Sequence, residues 1–127
     1  MKYLLDTNVI VAYLRGKQAI DTKIIQAGAG ISVITKAELV YGSYKSNRPN
    51  HNLKLILSML AELEIQTINL NDEIIDIYGQ TKAGLENKGR KLDEFDLLIA
   101  ATVIAEKLIL ITDNHRHFRR IKGLKLC

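Results

Sequence analysis

Residues 93–114 read DEFDLLIAATVIAEKLILITDN, and two patterns meet there. Asp93 is a helix-capping type, and 97–105 is apolar on nearly every face, as in a helix buried on most sides. Residues 108–112 then form a short apolar run of the kind found in a strand covered on both faces. A buried helix that feeds a buried strand belongs at the centre of an α/β domain. Two polar residues, Asp113 and Asn114, stand where that strand runs out.

The same alternation continues outward. Residues 3–5 read as a short buried strand, followed by a helix over 8–15 that ends near Gly16. A second helix over 19–27 is stopped by Gly28 and Gly30. The β-branched run 31–34 predicts a second strand, and Thr35 opens a helix that reaches Ser43 or Ser46. Asn47-Arg48-Pro49-Asn50 is a loop signal. Leu53, Ile56, Leu57, Leu60 and Leu63 repeat at helical spacing. Residues 65–68 predict a third strand. Asn71 or Asp72 caps a long helix whose inner face carries Ile74, Ile77, Tyr78, Thr81 and Leu85; it frays at Gly84 and stops by Gly89. After the strand at 108–112 come a short basic helix or turn and a candidate edge strand, Leu124-Lys125-Leu126. Strands separated by helices imply parallel pairing. The expected fold is a single domain, 1–127, in a three-layer α/β/α architecture with a parallel sheet of four or five strands.

A chain of 127 residues buries enough surface to fold without disulfides or a structural metal. The one cysteine, Cys127, excludes an internal disulfide and points to a reducing, cytoplasmic compartment. The first apolar run is broken by Asp6, too early for a signal peptide, and no apolar stretch approaches the ~20 residues of a membrane helix. Formal net charge is +4, and its placement matters more than its size. Residues 115–127 hold Arg116, Arg119, Arg120, Lys122 and Lys125 with no acid, leaving 13 basic against 14 acidic side chains elsewhere. Such an edge either attracts phosphate backbones or is simply a solvated tail.

In parallel sheets the functional crevice lies beyond the carboxyl ends of the strands. Asp6 directly follows the first strand, Glu38 stands one turn into the helix after the second, and Asp96 one turn into the buried helix. Asp113 and Asn114 follow the last main strand. Each has a plain explanation alone: Asp6 can cap the first helix, Thr35-x-x-Glu38 and Asp93-x-x-Asp96 fit capping boxes, and Asp113 or Asn114 can cap the last short helix. Together they place oxygen donors from four parts of the chain on one sheet edge. Crowded carboxylates repel and retain protons unless a cation joins them. Mg²⁺ takes such hard oxygen ligands, whereas the three histidines, at 51, 115 and 117, have no zinc spacing. The expected ligands are Asp6, Glu38, Asp96 and Asn114, with Asp113 and Asp93 as further candidates. A cation held there activates water for phosphodiester hydrolysis. Thr7, Asn8 and Thr112 are expected to support the acids. Arg116, Arg119 and Arg120, with His115 and His117, are candidates to grip nucleic-acid phosphates.

These residues resemble a known family. Residues 4–10 (LLDTNVI), 35–42 (TKAELVYG), 95–102 (FDLLIAAT) and 111–118 (ITDNHRHF) are similar, in order and spacing, to the four blocks of the PIN domain, and in size and pattern to its VapC toxins. The resemblance implies an Mg²⁺- or Mn²⁺-dependent endoribonuclease with its acids on Asp6, Glu38 and Asp96. It also implies a homodimer and a small cognate antitoxin that reaches into the site. Many members carry an aspartate where this chain has Asn114. The apolar width that Leu55 and Met59 add to the 53–63 helix fits a subunit or antitoxin interface, or plain burial. Tyr41 and Tyr44 are expected to pack as amphipathic aromatics, with base stacking as the other reading. Three alternatives compete: a catalytically inactive RNA-binding PIN domain, a DNA nuclease, and a phosphoreceiver signalling domain. The last needs an acceptor aspartate after the third strand, where Asn69 and Leu70 stand instead.

Overall fold

A computed structural model describes residues 1–127. Its four strands are β1 (Tyr3–Leu5), β2 (Ala29–Ser32), β3 (Gln66–Ile68) and β4 (Ile109–Ile111). All pair in parallel, in the order β3-β2-β1-β4. Seven helices connect and cover them: α1 (Thr7–Leu14), α2 (Thr22–Ala27), α3 (Val33–Lys45), α4 (Pro49–Glu62), α5 (Asp72–Asn87), α6 (Glu94–Ala105) and α7 (His115–Phe118). The parallel α/β architecture expected from the sequence is the one observed. The strand order differs from the 2-1-3-4-5 order of the phosphoreceiver alternative.

The pleat of β1 divides the interior. Leu4 and Leu5, both fully buried, point to opposite faces. Leu4 joins Ile99, Val103, Leu110 and Phe118 under α5, α6 and α7. Leu5 joins Ile10, Ile31, Leu39, Ile56 and Leu60 under α1, α3 and α4. Helix α6 buries Leu97, Ile99, Ala100, Ala101, Thr102 and Val103, so its polar first turn is fixed in place by an apolar body. No helix is long and apolar enough to cross a membrane.

Several boundaries differ from the sequence reading, each for a physical reason. Strand β2 runs over Ala29–Ser32 rather than 31–34. Gly30 permits the early start, because a Cβ there would sit 2.7 Å from Met1 Sδ and 3.0 Å from the Gln66 carbonyl oxygen. Helix α3 therefore begins at Val33, with Ser32 as its cap through a 3.1 Å bond from Ile34 N–H. Asp21 caps α2, so that helix starts at Thr22 rather than 19. Pro49, read as loop, occupies the first turn of α4, where its missing N–H costs nothing. The core-facing stripe of α4 is Ile56, Met59 and Leu60, and Leu57 is exposed. Met59 thus belongs to the monomer interior, while Leu55 stays exposed. Tyr41 and Tyr44 do not pack inward; each is 64% exposed on α3. The expected edge strand at 124–126 is a single parallel bridge from Leu126 to Leu110.

Candidate metal centre

The carboxyl ends of β1 and β4 lie side by side, with Leu5 paired to Ile111. Asp6 and Thr112 are the next residues out. Both are buried, and Thr112 Oγ1 donates to Asp6 Oδ2 at 2.7 Å. The other oxygen, Oδ1, accepts from Thr7 N–H at 2.8 Å, which caps α1. Capping and site roles therefore coexist in one carboxylate, since each oxygen keeps a lone pair beyond the bond it accepts. Asn114 N–H donates to Thr112 Oγ1 at 3.0 Å, which directs the Thr112 proton to Asp6.

Glu38 does not cap its own helix. With Ser32 at the cap, Glu38 falls in the second turn of α3, and its Oε1 accepts from Thr7 Oγ1 at 2.7 Å. The fully buried Thr35 hydroxyl lies 3.0 Å from Thr7 Oγ1. Thr7 has one hydroxyl proton, and the carboxylate is the stronger acceptor. Thr35 therefore donates to Thr7. Thr7 joins two acids: its backbone N–H holds Asp6 and its side chain holds Glu38.

Asp96 sits in the first turn of α6. Asp93 takes the capping role there, accepting from Phe95 N–H at 3.1 Å, and leaves Asp96 free of it. The only basic side chain near Asp96 is His117, whose Nδ1 lies 3.6 Å from Asp96 Oδ2. No lysine or arginine pairs with Asp6, Glu38 or Asp96; the one such ion pair in the molecule joins Lys82 to Glu94.

The electrostatics follow. Burial pushes the Asp6 carboxyl above its ordinary value; the Thr112 and Thr7 bonds pull it back, and the nearby Asp113 charge pushes it up again. Asp96 is also raised, first by burial and then by repulsion from Asp6 and Asp93, with His117 opposing. Asp96 thus feels the charge of an acid 90 positions away in sequence. No three His, Cys, Asp or Glu side chains close into a ready cage. The donor set still fits Mg²⁺, which commonly takes one or two protein carboxylates and completes its shell with water and phosphate oxygens.

The remaining candidates fall on the rim. Asn114 is partly buried, and its side chain makes no capping bond to α7. Asp113 is exposed and acts on Asp6 through charge. Asn8 is exposed and makes no hydrogen bond to Asp6, so the support expected of it falls to Thr7 and Thr112. Arg116, Arg119 and Arg120 are all exposed. Thr35 was read only as a helix start; its place in an apolar run was the signal that its hydroxyl needs a buried partner. A cleft of about 280 Å³ leads away from Glu38 between α1, α3 and α4, lined by Val11, Leu14, Leu39, Leu55 and Ile56.

A parallel sheet that gathers acids from β1, α3 and α6 at one edge is the pattern of PIN domains. The chain belongs to the PIN domain family, whose model matches residues 3–124. Within that family it is similar to VapC proteins. The tRNA(fMet)-specific endonuclease VapC of Shigella flexneri is 31% identical over 98% of this chain and 96% of its own length. Ribonuclease VapC2 of Haemophilus influenzae is 34% identical over the same shares. Among solved structures, VapBC2 from Rickettsia felis, bound to a DNA fragment from their promoter, aligns with a TM-score of 0.91 at 31% identity. That alignment covers 100% of this chain and 98% of the other. DNA-bound VapBC from Salmonella typhimurium aligns with a TM-score of 0.90 at 29% identity, over 100% and 97%.

Proposed function

We propose that this chain is a divalent-metal-dependent endoribonuclease and the toxin of a toxin–antitoxin pair. The observation that carries the reading is the Asp6–Asp96 pair: two carboxyls raised first by burial, Asp96 also by the Asp6 charge, with no lysine or arginine to balance them. The names of the VapC ribonucleases it resembles support the choice of RNA as substrate.

Asp6 and Asp96 hold Mg²⁺ or Mn²⁺, with Asn114 as a neutral oxygen donor at the rim. Bound there, the cation would supply Lewis acidity to lower the pKa of water and offset charge on the phosphoryl and leaving oxygens. Glu38 has one oxygen tied to Thr7 and the other free to orient the attacking water and take its proton. Thr112 and Thr7 fix Asp6, so the carboxylate need not reorganise when the substrate arrives. Arg116, Arg119 and Arg120 grip the flanking phosphates. The solved VapBC complexes support a cognate antitoxin as partner. The apolar cleft that ends at Glu38 is the place for an antitoxin segment to reach the site. The working assembly is a homodimer in the cytoplasm.

Cleavage of total RNA and of single-stranded DNA by purified protein tests this. RNA cut in Mg²⁺ or Mn²⁺ and left intact in EDTA is the expected result. Equal cutting of DNA points to the DNA nuclease. RNA binding without cleavage in any divalent metal points to the inactive RNA-binding domain.

A further inference from the structure

His117 lies on α7, three residues past Asn114 and across from the first turn of α6. Its side chain is 43% exposed, yet its Nδ1 is sealed from solvent and has no hydrogen-bond partner. Buried polar atoms rarely go unpaired, so an orphaned nitrogen marks a missing partner. The group it faces is Asp96 Oδ2, 3.6 Å away, too far for an N–H···O bond. A neutral ring with its proton on the wetter nitrogen, Nε2, leaves a lone pair on Nδ1. Nδ1 then turns a lone pair toward a carboxylate lone pair, and the two repel unless a cation lies between them. Two donors each about 2.1 Å from one octahedral ion stand about 3.0 Å apart at a right angle. The observed 3.6 Å lies about 0.6 Å beyond that spacing, a gap that small side-chain rotations close around an ion.

We propose that His117 Nδ1 is a nitrogen ligand of the cation that Asp96 binds, and that it shifts the site's preference from Mg²⁺ toward Mn²⁺ and later first-row ions. Carboxylate and water ligands suit Mg²⁺, whereas imidazole favours transition metals, so one nitrogen in an oxygen site changes which metal is held best. The inference rests on the proposed function, because Asp96 must be a metal ligand for His117 to join it.

The test uses metal-free wild type and His117→Ala, titrated separately with Mn²⁺ and Mg²⁺ by calorimetry, with pulsed electron paramagnetic resonance of the Mn²⁺-loaded proteins. Wild type is expected to bind Mn²⁺ more tightly than Mg²⁺ and to show nitrogen hyperfine coupling. His117→Ala is expected to lose that coupling and to bind Mn²⁺ about tenfold more weakly, with a smaller change for Mg²⁺. If His117→Ala does not fold, His117→Gln keeps the size and polarity without the nitrogen lone pair, and the same readouts apply. Tight Mn²⁺ binding by wild type without nitrogen coupling, or coupling that persists in the variant, overturns the role of His117 and leaves the nuclease reading standing. A folded wild type that binds neither ion overturns both.

Discussion

The two principal acids of the site are held very differently. Asp6 is buried, with each oxygen fixed by a donor, Thr7 N–H on one and the Thr112 hydroxyl on the other. Asp96 is partly exposed, with no donor inside hydrogen-bond distance and only His117 near it. One wall is ordered by the fold itself; the other is ordered by whatever joins the two. A site built this way pays little of its organising cost at Asp6 and leaves selectivity to the looser side.

Activity is the hardest test of that contrast, because both walls must then matter equally. Asp6→Asn and Asp96→Asn should each lower RNA cleavage by about 10³-fold or more, the scale of losing a metal ligand and several kcal/mol of transition-state stabilisation. Full cleavage by either pure variant would remove it from the metal centre.

Metal affinity should be sensitive to the support on the rigid wall. Thr112→Val keeps the shape and deletes the bond to Asp6 Oδ2. Calorimetry should show Mg²⁺ or Mn²⁺ binding weakened by about 10–100-fold. An unchanged affinity would mean that Asp6 needs no holding.

Stability separates the walls by sign. In the metal-free protein, Asp96→Asn removes a charge that burial, Asp6 and Asp93 all oppose. Its melting temperature should rise by about 2–5 °C. Asp6→Asn relieves a similar burden but turns its amide N–H₂ toward one of the two donors that hold Asp6, so it should not gain. Saturating metal should reverse the ranking: wild type at 100 times its Kd gains ~2.7 kcal/mol, about 10 °C for a domain this size. Equal melting shifts in the two variants would erase the distinction.

The smallest effect is in pH. Both acids are raised in the folded state above the ordinary 3.8, so the native protein binds more protons than the unfolded chain just above that value. Their contribution to metal-free stability is therefore greatest in acid. It falls as pH rises from 3.8 through the raised folded-state values, then levels off. The slope in that window should be shallower in Asp96→Asn than in wild type. Parallel melting curves from acid to neutral pH would show that the Asp96 charge is not opposed.

What the sequence disclosed, and what it hid, divides along similar lines. The parallel α/β fold and the three acids at one edge were legible, because caps, glycines and apolar runs are local signals. The β2 boundary was not, since it depends on Met1 and Gln66 approaching Gly30 from distant parts of the chain. That two-residue shift is also why Glu38 is no capping residue. The bond from Thr7 to Glu38 spans 31 positions, and no local pattern announces it. Leu57 and Met59 exchange places because the buried stripe of α4 is set by its packing on Leu5, Ile31 and Leu39, which no local repeat reveals. Tyr41 and Tyr44 were assigned inward on residue type alone, and a helix with only one face against its neighbours leaves others open.

The position of β1 has a consequence for the order of events during synthesis. It is an interior strand, paired on one side with β2 and on the other with β4. The Thr112 hydroxyl that fixes Asp6 lies 106 positions further along the chain. A ribosome that has made most of the polypeptide therefore still carries a sheet with one side of its central strand bare, and a first acid with half its anchor missing. Contacts this far apart in sequence form slowly. A growing chain cannot anchor Asp6 on both oxygens until its final strand and Thr112 emerge.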